Sequence, residues 1–424
     1  MQPHNRKTLD LSDIHRSYFV PPNFRVPDLA SFSRYGRGEA MQWSEWKQKA
    51  QAVARAPGVR PRAALILVLG CVLLLVGLFH RSEDPPTSTN PTRPDALVLD
   101  LPPTPEPGLV YGPPTPQTAW DETDNPSVYM PTGSGRVASA GYGSVRTRSS
   151  GRASFHEGVD IAPVNRDRAG RALDDVFAVA KGEVAYINRV AGNSSFGKYV
   201  VLTHDDPVGE VITLYAHLAS AADGLREGDS VTRGQVIGRM GHTSTLGIPR
   251  RRSHLHLETG MLLNSRFNRW YASEGLSPDH DIYHGYNLAG LDPMNLLSRL
   301  ANRETTRFSF LQTIKDTPVA WRILLPASRR PDYFDRYPAL WEGEDFTGDA
   351  VVLDVSESGV PLAGRNPTPE ERARLGSDSH LVLDVNEEAL GRNGLRHIVP
   401  RGDGWRLARN GERWRDILMY GAQR

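Results

Sequence analysis

The 424-residue chain predicts a mainly β protein, with a compact antiparallel core over residues 133–300. One transmembrane helix at 63–80 precedes that core, and a small α+β module at 301–424 follows it. Three observations carry this reading. Short runs rich in β-branched and aromatic residues, at 176–180, 182–187, 198–203 and 210–215, are bounded by Gly, Asn and Asp, as strands joined by tight turns are. A single uncharged run, AALILVLGCVLLLVGLF at 63–79, stands apart from an otherwise ordinary composition. Past residue 300, strand-like runs at 320–325, 350–355 and 380–385 flank TPEERARL at 368–375, which opens like a capped helix.

The apolar run spans roughly 25 Å as a helix, enough to cross most of a hydrocarbon core. About sixty residues precede it and no small-x-small site follows, so it does not read as a cleavable signal. Residues 1–62 hold eleven Lys/Arg against five Asp/Glu, and Arg55, Arg60 and Arg62 stand immediately before the helix. The positive-inside rule then predicts a single-pass protein of the cytoplasmic (inner) membrane. Its N-terminus would be cytoplasmic, and everything after about residue 80 would lie in the periplasm or another extracytoplasmic space. The 1–62 tail is polar and too short to bury much core, so it is expected to be largely disordered, with a cytoplasmic partner as its natural role. Residues 81–132 concentrate proline (DPPTSTNPTRPD, LPPTPEPG, GPPTPQT) and predict a semi-rigid spacer.

Composition excludes some functions. A formal charge of +1 gives no electrostatic footprint for nucleic acid, and none is expected as a partner. The single cysteine, Cys71, allows no intrachain disulfide and supplies no thiolate to a metal outside the apolar run.

Chemistry concentrates in three stretches, HEGVD at 156–160, YAHL at 215–218 and HLHLE at 254–258. His254 and His256 are two apart in an alternating strand pattern, so both imidazoles face one side and Leu255 faces the other. His156 and Asp160 can converge through a turn at Gly158. Two histidines and a carboxylate form a common zinc set that leaves a position open. His217 ends another apolar strand and can stand beside such a metal without ligating it.

In this order and spacing, HEGVDIA, YAHL and HLHLE resemble the lysostaphin or LytM-type zinc endopeptidases. GYGSVR before the first motif, VFAVAKGEVAYI, EGDSVTRGQVIGRMG and LDPMNLL at 291–297 match the same pattern, and the resemblance covers about residues 130–300. It implies a compact LytM-like β domain, a Zn2+ cofactor held by His156, Asp160 and His256, and two non-ligand catalytic histidines, His217 and His254. It also implies a peptide of peptidoglycan as substrate. Which of His217 and His254 does what stays open, as does the peptide bond cut.

The chain departs from the family pattern in two places. The turn into the paired histidines, 241–253, is long and carries Arg250, Arg251 and Arg252, which could meet carboxylates of a stem peptide or simply be solvated. The segment 261–289 is also long and adds His280 and His284, expected at the surface. Glu258 shares a strand face with His254 and His256 and is placed to support a metal ligand. His204 and His242 are expected at strand ends or turns. The rivals to an enzyme are a non-catalytic LytM-like scaffold that activates another wall hydrolase, and an adaptor linking a cytoplasmic partner to the wall.

Overall fold

The computed structural model describes residues 108–147, 153–376, 378–391 and 393–423. The expected tail 1–62, the transmembrane helix at 63–80 and the first part of the Pro-rich stretch lie outside the described residues. Among the described residues no helix is long and apolar enough to cross a membrane.

In chain order the strands are β1 (Leu109–Tyr111), β2 (Val145–Thr147), β3 (Ala153–Phe155), β4 (Val159–Ile161), β5 (Asp175–Phe177), β6 (Gly182–Asn188) and β7 (Lys198–Asp206). There follow β8 (Gly209–Leu218), β9 (Ser220–Ala221), β10 (Ser230–Val231), β11 (Val236–Arg239), β12 (Leu255–Leu262), β13 (Leu288–Leu291) and β14 (Thr306–Phe308). The main sheet is antiparallel in the order β10-β6-β7-β8-β12-β13, with β4 also pairing β12. A smaller sheet, β5-β11-β9, and the hairpin β2-β3 flank it. The mainly β antiparallel architecture is therefore the observed one.

β12 organises the sheet. Its eight residues are all buried, which explains why it reads as nearly continuous apolar sequence broken only by functional side chains. Leu255, Leu257 and Met261 point into the main core, whereas Leu262 packs in a second cluster on the opposite face with Ile212, Leu214 and Ala216 of β8. His256 and Glu258 share the parity of Leu262 and so emerge on that second face.

Two boundaries differ from expectation. The spacer expected over 81–132 does not extend to 132. Tyr111 and Trp120 are fully buried, β1 pairs with β14, and the Val128–Met130 stretch lies along β4 through Ala162 N–H to Val128 O and Met130 N–H to Asp160 O. Proline density signals a chain without its own ladder, but bulky aromatics between the prolines supply enough apolar area to dock it.

Residue 300 is likewise no seam. Beyond it a five-stranded sheet forms in the order β16 (Trp341–Glu342), β18 (Pro361–Arg365), β17 (Ala350–Val355), β15 (Trp321–Pro326), β19 (Leu381–Val385). It is followed by the hairpin β20 (Ile398–Arg401)–β21 (Gly404–Leu407) and a helix at Arg409–Leu418. The helix Pro369–Leu375 starts on a full capping box between Thr368 and Glu371. One hydrophobic core runs from Val159 and Leu257 through Leu296 and Phe310 to Trp321 and Trp414. Buried polar groups cross-link it: Tyr337 Oη accepts from Leu262 N–H, and Asn264 Nδ2 donates to the carbonyls of Ile417, Leu418 and Tyr420.

Candidate metal centre

Strand register builds the site. His256 lies directly opposite Asp160 of β4 on one side and Ala216 of β8 on the other. Side chains directly opposite on antiparallel strands share a face, so this pairing alone brings the imidazole and the carboxylate together. His156 joins from the turn before β4, where its N–H donates to Ser144 O. That turn runs so close to β12 that a Cβ on Gly158 would meet Leu257 O at 2.5 Å and His256 Cε1 at 2.9 Å. Only glycine fits there.

His217 reaches the site by breaking the strand rule. Strict alternation would put it on the face of Tyr215, against the main core. Between the pairs Lys198↔Leu218 and Val200↔Tyr215, β8 carries one residue more than β7, a bulge that reverses parity. His217 itself sits at φ +62°, rare for a residue with a Cβ, and its N–H donates to Phe196 O. The bulge and this twist turn its ring to within 4.8 Å of the His254 ring and 5.6 Å of the His256 ring, centroid to centroid.

His156 Nε2 lies 3.1 Å from Asp160 Oδ1 and 3.1 Å from His256 Nδ1, and His256 Nδ1 lies 2.9 Å from Asp160 Oδ1. All three residues are buried. Each histidine of the site meets an obligate acceptor on its far side. His156 Nδ1 donates to Gly141 O (2.9 Å), His217 Nδ1 to Thr243 O (2.9 Å), His254 Nδ1 to Arg252 O (2.7 Å) and His256 Nε2 to Glu258 Oε1 (2.8 Å). A carbonyl or carboxylate oxygen can only accept, so the outward nitrogens carry protons, and each ring in its neutral form presents its lone pair inward.

Three lone-pair atoms of His156, Asp160 and His256 thus converge in a buried space. A single proton can sit between only two of them; one cation touching all three satisfies the set. Three donors each about 2 Å from one ion lie roughly 3 Å apart, as these do. Among the described residues this trio is the group whose ligand atoms all come within 4.8 Å of one another.

Electrostatics agree. Burial pushes the Asp160 carboxyl up, but the facing His156 and His254 overcome this and hold it well below the usual range. Burial keeps His156 below its ordinary value, partly opposed by Asp160, and keeps His217 well below, reinforced by its neighbours His254 and His256. Burial also pushes His256 down. Asp160 on one nitrogen and Glu258 on the other more than offset that, and without a metal they raise it to about 9.

The structure brings all five expected residues together, and Glu258 Oε1 accepts from His256 Nε2. Reading the sequence missed two supports. Arg146 Nη2 donates to Asp160 Oδ2 at 2.6 Å while the same side chain donates to Ser139 O. Thr243 accepts from His217 through its carbonyl, and its hydroxyl joins Lys198 N–H to Leu218 O. Arg146 ends the GYGSVR stretch at 141–146, but nothing in spacing shows that the β2–β3 hairpin folds back over Asp160. The other histidines correct expectation in part. His280 is buried and His284 half-buried, both set among aromatic rings rather than at the surface. His204 sits inside β7, fully satisfied by Lys181 O and Thr213 Oγ1.

Residues 154–266 match the model of Peptidase family M23, a family whose members are zinc metallopeptidases. Among solved structures the chain is similar to a zinc-containing peptidase from Vibrio cholerae, at 27% identity over 28% of this chain and 31% of that one, TM-score 0.22. It is also similar to the catalytic domain of the antimicrobial peptidase lysostaphin from Staphylococcus simulans, at 24% identity over 37% and 89%, TM-score 0.24. A third likeness is a putative glycyl-glycine endopeptidase LytM from Ruminococcus gnavus, at 21% identity over 34% and 45%, TM-score 0.22. The chain thus spans less than a third of the Vibrio cholerae protein. No curated protein matches it.

Proposed function

We propose that the chain is a membrane-anchored, zinc-dependent endopeptidase that hydrolyses peptide cross-links of peptidoglycan. His156, Asp160 and His256 hold the zinc, and His217 and His254 handle protons beside it. The observation that carries this reading is the convergence of three buried potential ligand atoms, one each from His156, Asp160 and His256, with the outward nitrogen of each imidazole already held by its own acceptor.

Zinc bound there supplies Lewis-acid polarisation of a carbonyl and of a water molecule. The chain's own residues do the rest. Gly141 O and Glu258 lock the tautomers of the two ligand imidazoles. Arg146 offsets the charge of Asp160, so the ligand set as a whole neutralises little of the cation's charge. His254, whose Nε2 lies 3.4 Å from Asp160 Oδ1, and His217 each turn an unprotonated nitrogen inward. They can accept a proton from water and return it to a departing amine.

The wall-facing position is supported by the apolar run at 63–79 and its basic N-terminal flank, from which the positive-inside rule predicts the rest of the chain outside the cytoplasm. Residues 1–62 would then meet a cytoplasmic partner, and deleting 1–55 should change the protein's cellular position; an unchanged position would exclude that partner. The deciding experiment incubates the zinc-loaded full chain with defined cross-linked muropeptides and identifies the products by mass. Cleavage that disappears on chelation and in His256→Ala is expected. An inactive zinc-loaded wild type would instead make the chain a scaffold.

A further inference from the structure

A strongly basic lip borders the metal centre. Three segments form it: the stretch at Met130–Pro131, the loop after β4 at 163–171, and the short helical turn Arg250–Arg252. They are fastened to one another. Arg252 Nε donates to Pro131 O, Arg166 Nη2 donates to Ser253 O, and Gly170 runs near enough to Arg251 that a Cβ on it would stand 3.6 Å from Arg251 Cα. The turn continues directly into the site, because Arg252 O is the acceptor that orients His254.

Six arginines gather here: Arg166, Arg168, Arg171, Arg250, Arg251 and Arg252. Among the described residues only Arg171 forms an ion pair, with Asp167 at 3.1 Å. Arg168, Arg250 and Arg251 are exposed and their side chains make no hydrogen bond to a described residue. Asp174 is already used: its two oxygens accept from Val164 N–H, Asn165 N–H and Asn165 Nδ2. Between Met130 and Arg166 a pocket of about 390 Å³ opens, lined also by Gln117 and Val164. In a chain of net charge +1 this is a local concentration of unpaired positive charge, not a global excess.

We infer that this lip is a substrate subsite for an acidic peptide, its arginines receiving carboxylates several residues from the bond that is cut. The inference rests on the peptidase reading and deepens it by naming the charge of the substrate. Arginine suits the task, since its planar fork takes carboxylates in pairs and stays charged at any working pH.

The test compares two forms of one cross-linked stem peptide, with free carboxylates and with all of them amidated. The full chain should cleave the acidic form with a KM roughly tenfold lower. In the double variant Arg250→Gln/Arg251→Gln that preference should shrink to less than about twofold, while Arg303→Gln, on an exposed site elsewhere, keeps it. The amide form is the internal standard, because loss of fold lowers both forms together. Equal handling of both forms by the wild type overturns the lip and leaves the peptidase reading intact. If neither form is cleaved, the peptidase reading fails and calorimetric binding of the same two peptides decides the lip alone. Tighter, arginine-dependent binding of the acidic form upholds it there, and equal binding overturns it. Polyphosphate competing as well as the acidic peptide would show a general anion surface and overturn the assignment to peptide.

Discussion

Arg146 takes one oxygen of Asp160 and leaves the other to the imidazoles: Nη2 lies 2.6 Å from Oδ2, while Oδ1 faces His156, His254 and His256. This division decides which oxygen meets a metal, since the guanidinium is held from behind by Ser139 O. Arg146→Gln should therefore lower zinc affinity roughly 10–100-fold without unfolding the chain, as loss of an outer partner does elsewhere. Competition against a chromogenic chelator measures it, and Arg146→Lys should recover part of the loss. Unchanged affinity in the Gln variant would mean the ion pair is only structural.

Gly158 offers a steric test of the same centre. A methyl group there meets Leu257 O at 2.5 Å and His256 Cε1 at 2.9 Å, and neither the β12 backbone nor a buried ring yields easily. Gly158→Ala should displace His256, abolish detectable zinc binding and cost about 1–3 kcal/mol of stability. Denaturant unfolding and metal titration together check both parts. A variant that binds zinc normally would show that the turn can move away.

The parts of this site that were legible in the sequence are those fixed by strict periodicity. His254-x-His256 declared a shared face, and the short runs around Tyr199 and Leu214 declared strands, because period two is visible without a partner. His217 was legible from its place at a strand end and from resemblance, not from periodicity, since a bulge and a positive φ reverse the face that alternation assigns it. Arg146 and Thr243 were not legible at all; their roles come from loops that fold over the sheet. The docked stretch 108–132 was masked by proline, whose local signal says nothing about where Trp120 is buried.

Metal binding should depend on pH through His256. Without metal its imidazole is raised to about 9 by Asp160 and Glu258, so near neutrality it holds an extra proton that zinc must displace. Apparent zinc affinity should rise about tenfold per pH unit up to pH about 9 and then level off, with about one proton released at pH 7. The stability effect runs the other way for the metal-free protein. A raised pKa contributes stability fully present below the unfolded value near 6.5 and lost as pH climbs through about 9. Calorimetry in two buffers of different ionisation enthalpy counts the proton. Release near zero at pH 7 would show that His256 is already neutral.

Cutting the chain after residue 300 should destroy the peptidase domain rather than isolate it. Residues 301–424 cover Met261, Leu296 and Leu297, supply the Tyr337 hydroxyl that accepts from Leu262 N–H, and provide Phe310 and Leu311 N–H to the buried Asp206. Residues 108–111 would lose β14, their strand partner, in the same step. A 131–300 fragment leaves these groups open to water or unpaired, and it should be insoluble or lack a cooperative melt, whereas 108–424 should be soluble and bind zinc. A graded version keeps the chain whole. Asn264→Ala removes the amide that joins three carbonyls at the end of the Arg409–Leu418 helix and should cost about 1–3 kcal/mol, with zinc affinity unchanged. A fragment ending at 300 that melted cooperatively and bound zinc would show that the C-terminal sheet is an accessory, and the single continuous core would lose its meaning for function.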